Sequence, residues 1–89
     1  MAIETEVKKF LYGLTDSDVE LIKQLGLPNK IIGEKFGDSP AAISMQVTRI
    51  SVKLGVENRT AIVIKSLGLG LITIDQLVFR EFNGETNLP

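Results

Sequence analysis

The groups able to do chemistry in these 89 residues are cations and hydroxyls, because the chain has no cysteine and no histidine. That composition removes disulfides, Cys/His zinc sites, thiol nucleophiles and histidine-based triads, and it makes binding a more natural task than catalysis. The cations are unevenly placed. Residues 29–65 carry Lys30, Lys35, Arg49, Lys53, Arg59 and Lys65 against Glu34, Asp38 and Glu57, a local balance of +3 in a chain of formal net charge −1. Before that segment three lysines stand against five acids, and after it one arginine against three. Attraction to a polyanion acts over about 10 Å in ordinary salt, so a basic centre between acidic flanks still suits phosphate. A mixed solvated surface would show the same charges. Asp16, Asp18 and Glu20 crowd one short stretch, but at a helix start the backbone dipole favours them without any catalytic role.

Helical spacing dominates the segments that position these groups. Ile3, Val7, Phe10 and Leu11 recur at i, i+4, i+7 and i+8 and predict an amphipathic helix from Ile3 to Tyr12, ending near Gly13. Thr15 is an N-cap with Asp18 at the third helical position, and Val19, Leu21, Ile22 and Leu25 form the apolar side of a second helix that Gly26 and Pro28 end. Asn29 to Phe36 reads as a short helix with Ile32 and Phe36 inward. Gly37-Asp38 then makes a turn before Ser39, a strong N-cap, and Pro40 at the first helical position. Ile43, Val47, Ile50 and Leu54 lay one stripe along the next helix, and Ser44, Met45, Thr48, Ser51 and Val52 fall off it. An outer face of small polar residues, a methionine and Arg49 suits contact with base edges better than plain solvent. Asn58 to Leu67 is so apolar at Ala61, Ile62, Val63, Ile64 and Leu67 that a partner surface is expected, with Gly68 and Gly70 capping its end. Thr73 can cap a last helix, Ile74 to Phe82, before a frayed Asn83 to Pro89. No apolar run approaches the roughly 20 residues of a membrane span, and the charged N-terminus is unlike a signal peptide, so a cytoplasmic protein is expected.

The run Lys53-Leu54-Gly55-Val56-Glu57-Asn58-Arg59-Thr60 resembles the KLGVxNRT signature of LuxR/FixJ/NarL-type (GerE-like) DNA-binding domains of bacteria. Leu14-Thr15, Asn29-Lys30, the Ser39 to Ser44 stretch in place of IS-x-x-TVK, and Leu69 to Ile72 are similar to the same pattern at the family's spacing, so the likeness covers residues 14 to about 72. It implies an all-α fold with a LuxR-type four-helix helix-turn-helix core at 14–72, outside which lie the N-terminal helix at 1–13 and the C-terminal helix and tail at 73–89 that the apolar spacing predicts. It also implies a recognition helix at about 40–53 lying in the major groove. By this resemblance Ser44, Met45 and Thr48 face the bases, and Arg49 reaches a guanine edge or a phosphate. Lys30, Lys53 and Arg59 contact phosphate, and Ile62, Val63, Ile64 and Leu67 form a homodimer seam, which the terminal helices, Ile3 to Tyr12 and Ile74 to Phe82, are expected to enlarge by packing together. The family usually has lysine where Ser44 stands and often histidine at Gln46, and here Leu14-Thr15 lies about two residues closer to Asn29-Lys30 than is usual.

The expected function is therefore sequence-specific binding of double-stranded DNA by a homodimer that regulates transcription, with no cofactor and no membrane partner. A regulatory protein or RNA polymerase is a further expected partner. The length resembles the short stand-alone LuxR-type regulators of cyanobacteria, without room for a receiver or ligand-binding domain and without the cysteine that a thiol switch needs. The competing expectation is a helical adaptor that keeps the fold but binds protein. Acidic net charge and the missing lysine at Ser44 favour it.

Overall fold

Sequence-local capping groups set where three of the helices begin. The computed structural model describes residues 2–79, and among them the regular elements are helical: α1 (Ala2–Tyr12), α2 (Asp16–Lys23), α3 (Asn29–Phe36), α4 (Pro40–Leu54), α5 (Arg59–Leu69) and a 3₁₀ turn, Ile74–Gln76. At α2 the Thr15 hydroxyl accepts from Asp18 N–H while the Asp18 carboxylate accepts from Thr15 N–H, both at 3.0 Å. Ser39 accepts from Ala42 N–H at 3.1 Å ahead of Pro40, and Asn58 accepts from Ala61 N–H at 2.8 Å. Each bond satisfies an N–H that has no partner inside its own helix.

The core lies between α2, α3, α4 and α5. Ile43, Ile50 and Leu54 of α4 are buried with Val47 beside them, and they meet Ile22 of α2, Ile32 of α3, Ile62 of α5 and Ile72 of the following turn. Gly37-Asp38-Ser39 joins α3 to α4, with Gly37 in the left-handed region at φ 76°. Asp38 N–H donates to Gly33 O at 2.9 Å, and a Cβ built on Gly33 would overlap the Asp38 carbonyl oxygen. The turn thus folds onto the bare backbone of α3, and this close approach fixes how α4 leaves α3.

Three expectations change. Phe36, expected inward, is exposed, because it closes α3 at the edge of a shallow groove with Ser17, Glu20, Asp38 and Gln46 and none of the described elements covers it. The expected helix from Ile74 to Phe82 is, within the described residues, only the 3₁₀ turn followed by extended Leu77 to Phe79. Val78 N–H donates to Lys23 O at 2.9 Å and Phe79 pairs with Gly26 in a parallel bridge. The last carbonyls of α2 need donors, and Val78, a β-branched residue, supplies one to Lys23 in the extended form it prefers, while Phe79 continues the strap beside Gly26. Residues 80–82 of that expected helix, and the tail Asn83 to Pro89, lie outside the described residues.

The third change concerns α1, which has the expected length but not the expected packing. Lys8 Nζ donates to Leu69 O at 2.8 Å and the Thr5 hydroxyl to Gly70 O at 3.4 Å, so its polar side meets the carbonyl end of α5. Lys65 of α5 lies 5.4 Å from the Tyr12 ring centroid, within cation–π reach. Ile3, Val7, Phe10 and Leu11 point to solvent. Packing of α1 against a C-terminal helix does not occur among the described residues.

Candidate nucleic-acid interface

The α4 stripe that fills the core leaves its opposite side outward. Ser44, Met45, Thr48 and Arg49 are all exposed there, and the α4 sequence contains no acidic residue. Val52 joins them, one turn beyond Thr48 and exposed. Its position off the core stripe was visible in the sequence, yet nothing there marked it as part of the face. The Thr48 hydroxyl donates to Ser44 O at 3.1 Å and the Ser51 hydroxyl to Thr48 O at 2.7 Å. Those donors are therefore spent on the helix itself, which leaves the hydroxyl oxygens to accept and the Thr48 methyl, Met45 and Val52 to make apolar contact.

The three expected phosphate cations divide. Lys30, in the first turn of α3, is exposed. Arg59 turns inward: Nε donates to Leu25 O at 3.1 Å, Nη1 to Asn29 Oδ1 at 2.6 Å and Nη2 to Leu27 O. The α2–α3 loop carbonyls have no helical or strand partner, and a planar guanidinium serves three acceptors at once. Burial lowers the Arg59 pKa from its ordinary value. Lys53 reaches across to the start of α2, with Nζ 2.8 Å from Asp18 Oδ2. Burial raises the Asp18 pKa, but the Lys53 ammonium and the Thr15 N–H outweigh it and hold the carboxyl below its usual range. Both cations are thus internal ties. Sequence distance hid this, since the partners lie 30 to 35 residues away.

The apolar residues of α5 also divide. Ile62 is 0% exposed and belongs to the core, so it cannot meet a second chain, whereas Ile64 is 64% exposed. Val63 and Leu67 are half-buried against the core, between these two extremes. Ile64 and Val63 border an open groove of about 210 Å³ that also includes Leu25, Leu77 and Phe79. Among the described residues there is no cluster of three or more acidic residues placed to hold a metal, and no helix long and apolar enough to cross a membrane.

No protein-family model, no characterised protein and no solved structure matches the chain.

Proposed function

We propose that the protein is a LuxR-type helix-turn-helix regulator that binds double-stranded DNA, with α2 to α5 as the four-helix core and α4 as the recognition helix. The observation that carries this reading is the outer face of α4: Ser44, Met45, Thr48, Arg49 and Val52 stand exposed on a capped helix without acids, beyond a turn held tight by Gly33. A helix of this kind fits the major groove, where hydroxyl oxygens accept from cytosine or adenine amino groups and Met45 and Val52 suit thymine methyls. Arg49 and Lys30 supply the attraction to phosphate or to a guanine edge. Two copies pair through the outer side of α5 around Ile64, flanked by Val63 and Leu67, and two-fold symmetry then calls for an inverted-repeat site.

The internal engagement of Lys53 and Arg59 favours a second reading, a helical adaptor with little DNA affinity. A fluorescence anisotropy titration with random and promoter DNA at two salt concentrations separates the two. The regulator reading expects binding at low salt that weakens as salt rises, and a folded chain that binds neither DNA at low salt would sink it.

A further inference from the structure

The orientation of α1 reverses the usual rule for a surface helix. Lys8 and Thr5 cap the carbonyl end of α5, and Lys9 bridges Glu6 and Asp16, so polar contacts seat the helix. Its apolar side is left open, with Ile3 78%, Val7 50%, Phe10 83% and Leu11 69% exposed. These four share one helical face and form a stripe of roughly 500 Å², comparable with the largest apolar patch of a typical monomer, which is often functional.

We propose that this stripe is a self-association surface on which α1 of a second copy lies antiparallel, the two-fold axis passing near Val7. Ile3 of one copy then meets Phe10 and Leu11 of the other. Two such stripes bury about 1,000 Å², where specific interfaces begin. The charges select the direction. At about 100° per residue Glu4 and Lys8 border one side of the stripe and Glu6 and Lys9 the other. An antiparallel pair brings each side against the same side of its partner, so Glu4 approaches the other copy's Lys8 and Glu6 its Lys9. A parallel pair would set acid beside acid. Lys9 already bridges two carboxylates, so Glu4 with Lys8, which spends one of its three donors on Leu69 O, carries most of the complementarity. Opposed helix dipoles add to it. Each border carries one acid and one base, so the stripe lacks the net positive charge that a nucleic acid or an anionic membrane would call for. This surface is distinct from the α5 seam and stands independently of DNA binding: with the α5 seam in place it links dimers, and without it the chain pairs through α1 alone.

The absence of cysteine makes the test direct. Val7→Cys is expected to form a disulfide-linked dimer at least tenfold faster than Glu57→Cys, an exposed control on the α4–α5 loop. In sedimentation, Phe10→Glu is expected to weaken self-association at least tenfold with unchanged helical circular dichroism, and Glu4→Lys to weaken it more than Glu4→Gln. Ile64→Glu reads the α5 seam separately, so loss of one surface is not mistaken for loss of the other. The proposal is overturned if Val7→Cys links no faster than the control, if Phe10→Glu associates like the parent chain, or if the parent chain stays monomeric at about 100 μM. Co-sedimentation with anionic lipid vesicles through Phe10, by a chain that stays monomeric, would assign the stripe to a membrane surface and overturn the pairing.

Discussion

Lys53 Nζ stands 2.8 Å from Asp18 Oδ2, and through that contact the last turn of α4 is fastened to the capping box that starts α2. One carboxylate therefore does two jobs. It holds the N–H of Thr15 and it neutralises a cation from the helix that carries the proposed reading face.

Because Asp18 sits below its ordinary value of 3.8 in the folded chain, its ionisation stabilises the fold above that value. The contribution is lost as pH falls through the depressed folded value, so stability declines on the acid side. Asp18→Asn is expected to remove this component: urea melts of the variant and the parent chain should differ most near pH 7 and converge as the pH falls through the depressed folded value. Lys53→Ala, at a partly solvated pair, is expected to cost about 1 kcal/mol at pH 7.

Arg59 carries a different prediction, since two of its bonds go to the α2–α3 loop and the third to Asn29 at the start of α3, rather than outward. Lysine has no planar fork to span Leu25 O, Leu27 O and Asn29 Oδ1. Arg59→Lys is expected to lose about 2 kcal/mol, and Arg59→Ala about as much or more, by thermal or urea unfolding. An arginine that contacted phosphate instead would leave the unfolding curve in place and shift only DNA affinity.

Two glycines make a paired test of packing. Gly33→Ala sets a methyl group against the Asp38 carbonyl and forces the turn away from α3, which is expected to destabilise by about 1–3 kcal/mol, some 5–20 °C in Tm for a domain of this size. Gly68 lies inside α5 with open space around a Cβ, so Gly68→Ala is expected to stabilise by about 0.5–1 kcal/mol. Differential scanning calorimetry of the two variants checks both signs.

The features that could be read from the sequence are those whose causes are local. Thr15, Ser39 and Asn58 cap helices because each oxygen reaches an N–H three residues on, and the spacing of Ile43, Ile50 and Leu54 needs only a helix. The features that could not be read depend on distant partners. Periodicity shows that Ile3, Val7, Phe10 and Leu11 share a side, but carbonyls at Leu69 and Gly70 decide that this side faces out. In the same way, Lys23 O draws Val78 into an extended strap where apolar spacing alone predicts a helix. For the candidate site, the outer face of α4 followed from one helix and was visible early. The roles of Lys53 and Arg59 followed from Asp18 and the α2–α3 loop and were not.

The reading face itself yields the last prediction, which separates the two fates open to Arg49. An arginine on phosphate acts alike on every sequence: Arg49→Ala would then weaken all DNA sites equally and flatten the plot of log affinity against log salt by about 0.9. An arginine on a guanine edge acts at one base pair, and its loss would cost about 1–3 kcal/mol on the preferred site, relax preference there, and leave non-specific affinity little changed. Lys30→Ala gives the phosphate pattern for comparison, because Lys30 is exposed in the first turn of α3 and is not part of α4. Met45→Ala should relax discrimination at a thymine-bearing position without altering the salt slope, since a thioether releases no counterions. Anisotropy titrations of the three variants at several salt concentrations, on one selected site and on random DNA, measure all of these. If Arg49→Ala and Met45→Ala both leave site preference and slope unchanged, α4 does not present its outer face to DNA, whatever else the protein binds.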